Sequence, residues 1–322
     1  MNQLKKFWKL IINELYKAFF QKKTIVFLVL IIIAIFFNAF VSLNSDKGKD
    51  WQSSTKSQIK NLETTISEDK SKNDASIIDK NTLKMEEDQL NLLKYRLDHK
   101  LPDNVVTPYS FVYSNRALIG LIVIFMAIFS ANVVANEYSW GTIHQLFIKP
   151  VKRWEVFVSK YLSSILVTTI LCIIFFTISL IIGLILFGKN NASFNDVVLV
   201  NGHLVERNMI LYVLLEMLSD IFSIAVISSL TFLIAVIVRS SSLAIIISIV
   251  IYFGGLIGGT FINSTSFFKY TLTPNLSLTV YLPGSKLPYN GASFQFSIVI
   301  CIIYTALFLM SGIYIFNKRD VF

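Results

Sequence analysis

T-I-V-F-L-V-L-I-I-I-A-I-F-F-N-A-F-V-S-L, residues 24–43, is uncharged throughout. As a helix rising 1.5 Å per residue it reaches about 30 Å, the thickness of a bilayer's hydrocarbon core. Five more runs are apolar and long enough to do the same: Ala117–Ala135, Val156–Phe187, Met217–Val238, Ser242–Phe261 and Ser293–Phe316. Hydrophobic residues make up 54% of the 322-residue chain and the mean hydropathy is +0.63, above the roughly 45–50% of ordinary soluble domains. The expected fold is an all-α polytopic membrane protein with six transmembrane helices. The first run is too long and too far from the start for a cleaved signal peptide, and no small-residue cleavage pattern follows it, so it is expected to stay.

Charge sets the expected orientation. With the N-terminus inside, thirteen Lys and Arg, among them Lys5, Lys22, Lys152, Arg153, Lys160 and Arg239, face only Glu14, Glu137, Glu155 and Asp320. The remaining cations and acids cancel, so the whole net charge of +9 is positive-inside bias at a plasma membrane, with both termini cytoplasmic. That removes most of the case for nucleic-acid binding.

The spans divide the chain. Residues 1–23 place Leu4, Phe7, Trp8, Ile11, Ile12, Leu15, Ala18 and Phe19 at helical spacing against lysines, the pattern of an interfacial amphipathic helix or, more simply, of a basic flank. Span 24–43 is followed by a polar insert, 44–108, where Ile59, Leu62 and Ile66 and then Leu83, Leu90, Leu93 and Leu97 keep helical steps. This reads as an extracytoplasmic helical hairpin, serving either capture, gating or partner contact, or only as a solvated spacer or stalk. Span 117–135 leads through a cytoplasmic loop, 136–155, to span 156–187. An outer loop, 188–208, precedes the fourth span, 209–238, which holds Glu216 and Asp220. One turn apart, these acids share a face near the outer interface; they pair with Arg116, meet a cationic substrate, or are ordinary interfacial acids.

Span 242–261 ends in Gly254, Gly255, Gly258 and Gly259, which suit either close helix packing or a helix break. Residues 262–292 are too apolar for a free loop and too proline-broken for a span, so re-entrant or interfacial helices are expected there. Span 293–316 and a basic tail, 317–322, close the chain.

No G-x-x-x-x-G-K-[ST], H-E-x-x-H or G-x-S-x-G occurs, and His99, His144 and His203 are scattered. Cys172 and Cys301 fall inside spans and form no metal-ligand pattern. The chain therefore offers no catalytic, cofactor or metal set, and any energy is expected from another protein.

The cytoplasmic loop carries Glu137, Gly141, Thr142, Pro150, Arg153 and Lys160. In that order it resembles the loop of ABC-2 type (type V) ABC exporter permeases, as do the interfacial helix, the six spans, Ser229-Leu230-Thr231-Phe232-Leu233, the outer segment and the K-R-D ending. The resemblance covers nearly the whole chain except the insert. It implies a coupling helix docking on an ABC ATPase subunit, two copies of which hold the ATP and Mg, and a second permease subunit making a homodimer or heterodimer. Gly141 and Thr142 suit a turn, Ile143, Leu146 and Phe147 an apolar docking face, and Pro150 a stop. The expected function is export of an amphiphile such as an antimicrobial peptide, lipid or drug. The alternative is a non-ABC membrane sensor or scaffold whose hairpin binds a ligand.

Overall fold

The computed structural model describes residues 3–45, 51–71, 77–99, 106–139, 152–188, 195–200, 203–262, 267–282, 285, 287, 289 and 291–318. The chain is mostly helical. Helices α1 (Gln3–Phe19) and α2 (Lys22–Ser45) are followed by α3 (Trp51–Ser71), α4 (Ile77–Asp98), α5 (Pro108–Ser114) and a 3-10 turn, Asn115–Leu118. Then come α6 (Ile119–Ser139), α7 (Arg153–Phe187), strands β1 (Asn195–Val200) and β2 (His203–Asn208), α8 (Met209–Val238) and α9 (Ser241–Ile262). Short turns at Phe268–Tyr270, α10 (Thr273–Leu276) and Leu278–Tyr281 lead to α11 (Phe294–Lys318).

Among the described residues, five stretches are long and apolar enough to cross a membrane: Lys22–Asn44, Pro108–Ala135, Arg153–Phe187, Met209–Val238 and Phe294–Lys318. The sixth run of the sequence lies in α9. Its apolar portion with described side chains, Ser241–Ile257, falls short of a full crossing. Helix α9 continues unbroken through all four glycines to Ile262. Gly254 faces open space, whereas a Cβ on Gly255 would collide with the Thr273 side chain of α10. The close approach at Gly255 is thus to the short segment before α11.

The chain forms two compact units. One comprises residues 1–35, 115–178 and 214–322. Its core joins Ala131 and Val134 of α6, Phe157 and Tyr161 of α7, Phe232 and Val236 of α8, and Phe316 of α11. Phe157 sits edge-on to Phe232 and 5.7 Å from Phe316 between ring centres. Gly312 makes room for it, since a Cβ there would lie 2.8 Å from Phe157 Cζ. A second cluster seats α1: Ala18 packs with Phe125 and Phe129 of α6 and Val167 and Leu171 of α7. The other apolar stripe of α1, Trp8, Ile12 and Tyr16, is exposed at i, i+4 and i+8, the spacing of one helix face.

Within this unit Ser130, Ser164 and Ser228, from α6, α7 and α8, are fully buried and close a ring of hydroxyl hydrogen bonds at 2.6, 3.0 and 3.1 Å. Small hydroxyl residues let helices approach and supply polar contacts that survive without water. Arg239 joins α8 to α9 in the left-handed region, φ 56°, and its N–H caps the Ala235 carbonyl at 3.0 Å, ending the helix as a glycine would.

The other unit comprises residues 36–114 and 179–213. Helices α3 and α4 pack together with Ile66 and Leu93 buried between polar flanks and Lys94 reaching Glu63 at 2.7 Å. The stretch read as a plain loop, 188–208, holds an antiparallel hairpin whose register pairs Asn195 with Asn208 and Val200 with His203. The physical reason is written in the chain. β-branched and apolar residues flank Asn201-Gly202, the pair that best suits a two-residue hairpin turn. The fold is therefore mostly rather than wholly helical.

Candidate functional site

Helix α8 carries Glu216 and Asp220 one turn apart, so both point to the same side. The 3-10 turn before α6 delivers Arg116 to that side. Its Nη1 lies 3.1 Å from Glu216 Oε1, and its Nη2 lies 3.9 Å from Asp220 Oδ1. The same Nη2 donates to Thr279 Oγ1 at 2.6 Å and approaches Ser277 Oγ at 3.5 Å. Glu216 is 1% exposed and Asp220 7%, so both acids are buried within the protein. Arg116, with 29% of its side chain exposed, is the most open of the three charged residues. A buried carboxylate needs a charged partner and hydrogen bonds to be tolerated, and one guanidinium is shared between two.

Sequence reasoning placed Arg116, Glu216 and Asp220 together but missed Ser277 and Thr279. Two hydroxyls in an apolar, proline-broken segment have no periodicity to mark them. Their positions are set by Asn275, also missed and fully buried. Its Nδ2 donates to the carbonyls of Lys269 and Thr271 at 2.9 and 2.8 Å. Its Oδ1 accepts from Ser297 at 2.6 Å and Tyr289 at 3.1 Å. Burial pushes the Tyr289 phenol above its ordinary value, with a Ser297 hydrogen bond working against it, so the phenol stays protonated and able to donate. Ser223 of α8 donates to the Leu276 carbonyl, and Cys301 of α11 approaches the Asn275 carbonyl at 3.3 Å. The short segment is thus fastened to α8 and α11 as well as to Arg116.

A second polar constellation lies where α7 begins. Glu155 reaches back to the Lys152 N–H at 3.3 Å, satisfying one free donor of the first turn. Arg153 donates to the Asn317 carbonyl near the end of α11 at 3.2 Å, a favourable cation at a helix C-terminus. Lys160 points inward, 4% exposed, and meets Glu14 of α1 at 3.4 Å. Ser163 adds a hydrogen bond to the Ile11 carbonyl at 3.4 Å. Lys160 therefore binds α1 to α7 rather than presenting its charge outward. Of the other residues assigned to coupling, Gly141, Thr142, Ile143, Leu146, Phe147 and Pro150 lie outside the described residues, as does the Glu137 side chain.

Among the described residues no three His, Cys, Asp or Glu side chains gather as a metal site. Cys172 and Cys301 are buried free thiols.

Long apolar helices around a buried ion cluster define a membrane protein with several apolar helices. The chain belongs to the family described as "Protein of unknown function (DUF2705)", whose model matches residues 76–322. It is 31% identical to the uncharacterized protein YhcI of Bacillus subtilis (strain 168), over 97% of this chain and 98% of that one. It is also 28% identical to the uncharacterized membrane protein YdbK of the same organism, over 68% of this chain and 84% of the relative.

Proposed function

We propose that the chain is the membrane-spanning permease subunit of an ATP-driven ABC exporter. It crosses the plasma membrane six times with both termini cytoplasmic, α9 making the fifth crossing. It works with a second permease subunit and two copies of a separate ABC ATPase, which holds the ATP and Mg. Its cargo is an amphiphile such as an antimicrobial peptide, lipid or drug.

The observation that carries this reading is the anchorage of α7 directly after the loop that resembles a coupling helix. Arg153 caps the end of α11, and seven residues on Lys160 holds α1 through Glu14. A push on residues 141–150 would be handed at once to three helices rather than absorbed by a free connector. The sequence supplies no phosphate-cradling loop of its own, which fits a subunit that borrows its energy.

Co-purification tests the proposal. A separate ATPase is expected to accompany the tagged chain from its native membrane and to be lost on Phe147→Asp or Gly141→Pro. Normal expression of both variants with the ATPase still bound would show that this loop is not the docking site. No ATPase with the native chain would favour the sensor or scaffold reading.

A further inference from the structure

Helix α1 has two apolar faces, and its packing uses one. Ile11 and Ala18 are buried, Ala18 among residues of α6 and α7. Trp8, Ile12 and Tyr16 take every fourth position on a different face, and Phe20 extends them, its N–H bonding the Tyr16 carbonyl at 3.2 Å. All four are 56–68% exposed, and the Tyr16 and Phe20 rings lie 4.3 Å apart, so they form one outward apolar strip. Lys5, Lys9 and Lys17 are exposed beside it. The helix has a single acid, Glu14, and it is engaged by Lys17 and Lys160. Lys5 and Lys9 are left with no acid of their own helix to meet.

What covers the strip follows from where α1 is held. Only Phe20 and Gln21 separate it from α2, and the Thr24 hydroxyl donates to the Ala18 carbonyl at 2.6 Å, closing that turn. Helix α2 is long and apolar enough to cross a membrane, and Ile25, Val26 and Val29 near its start are exposed as the strip is. The strip is therefore pinned at the level where lipid begins. Aromatic rings with lysines beside them suit that depth, the rings lying at the headgroup boundary and the ammonium groups reaching phosphates.

We infer that this face of α1 rests in a leaflet of anionic phospholipid, with Trp8, Tyr16 and Phe20 among the headgroups and Lys5 and Lys9 on their phosphates. Headgroup charge selects the lipid, because a lysine is drawn to an anionic surface within a Debye length whereas a zwitterionic surface offers no net charge. The inference needs only that the chain sits in a membrane, and it stands or falls apart from the exporter proposal.

The full-length chain in phosphatidylcholine nanodiscs tests this through Trp8. Its emission is the native signal less that of Trp8→Phe, which removes one of four tryptophans. Phosphatidylglycerol brominated near the headgroup end of its acyl chains is expected to quench Trp8 several-fold more than brominated phosphatidylcholine at the same minor mole fraction. High salt should erase that preference, and so should Lys5→Gln with Lys9→Gln, while quenching by wholly brominated phosphatidylcholine persists. The salt measurement keeps both lysines, so it decides the matter even if the lysine variant misfolds. Trp8 unquenched by either lipid would overturn the inference, because a protein surface, such as a second copy of the chain, would then cover the strip. Equal quenching by the two lipids, or a preference that survives high salt or loss of both lysines, would overturn it as well.

Discussion

The two polar constellations are mirror images in charge. At Glu14 one acid meets two cations, Lys160 at 3.4 Å and Lys17 at 3.3 Å. At Arg116 one cation meets two acids. What differs is access to water. Lys17 is 56% exposed on its side chain, so solvent screens the surplus positive charge. Asp220 is buried, so its charge is met by Arg116 or by a proton rather than screened by solvent. A charge left without its partner is therefore cheap at the first place and expensive at the second.

The largest break in this comparison is Arg116→Leu. It strands two buried carboxylates and should destabilise the fold by about 3–5 kcal/mol, read as a lowered unfolding midpoint by circular dichroism in detergent. Arg116→Met with Glu216→Leu and Asp220→Leu should recover most of that loss, because a packed apolar replacement of a buried ion group is often neutral or stabilising. If the triple variant stays as unstable as Arg116→Leu, lost packing rather than stranded charge is the cause.

Thr279→Val removes one hydrogen bond to a charged group and should cost about 1.5–3 kcal/mol. It should also raise amide exchange in residues 267–282, which the same segment's other anchors would then hold less firmly. Lys160→Met leaves Glu14 with Lys17 and should cost about 1 kcal/mol, with faster exchange confined to α1. Lys17→Ala, an exposed i, i+3 pair, should change stability by no more than about 0.5 kcal/mol. Raising salt should weaken only this last contact, and an equal salt response at Arg116 would show that water reaches that cluster.

Much of the apolar architecture could be read in the sequence because strongly apolar runs of span length admit few other readings. The pairing of Glu216 with Asp220 was legible from a one-turn spacing, and Arg116 was the nearby cation. Burial was not legible: position along a helix gives depth but not what packs beside it. The partner of Lys160 was not legible, because positive-inside reasoning counts lysines without knowing which way they point. Asn275 gave no signal, since one amide in a broken segment organises its neighbours only after the chain has folded back. The β1–β2 hairpin was spelled out by Asn201-Gly202, and reading the stretch only as a connection between spans hid it.

The ring of Ser130, Ser164 and Ser228 differs in kind from both ion clusters. A hydroxyl both donates and accepts and can swing about its C–O bond. The three bonds can therefore run clockwise or anticlockwise with similar strength. Three helices are pinned at one point, yet nothing there specifies a direction, since reversing all three hydroxyls restores the same ring. The ring fixes where α6, α7 and α8 meet without fixing which hydroxyl donates to which, a freedom that a guanidinium, which only donates, does not have.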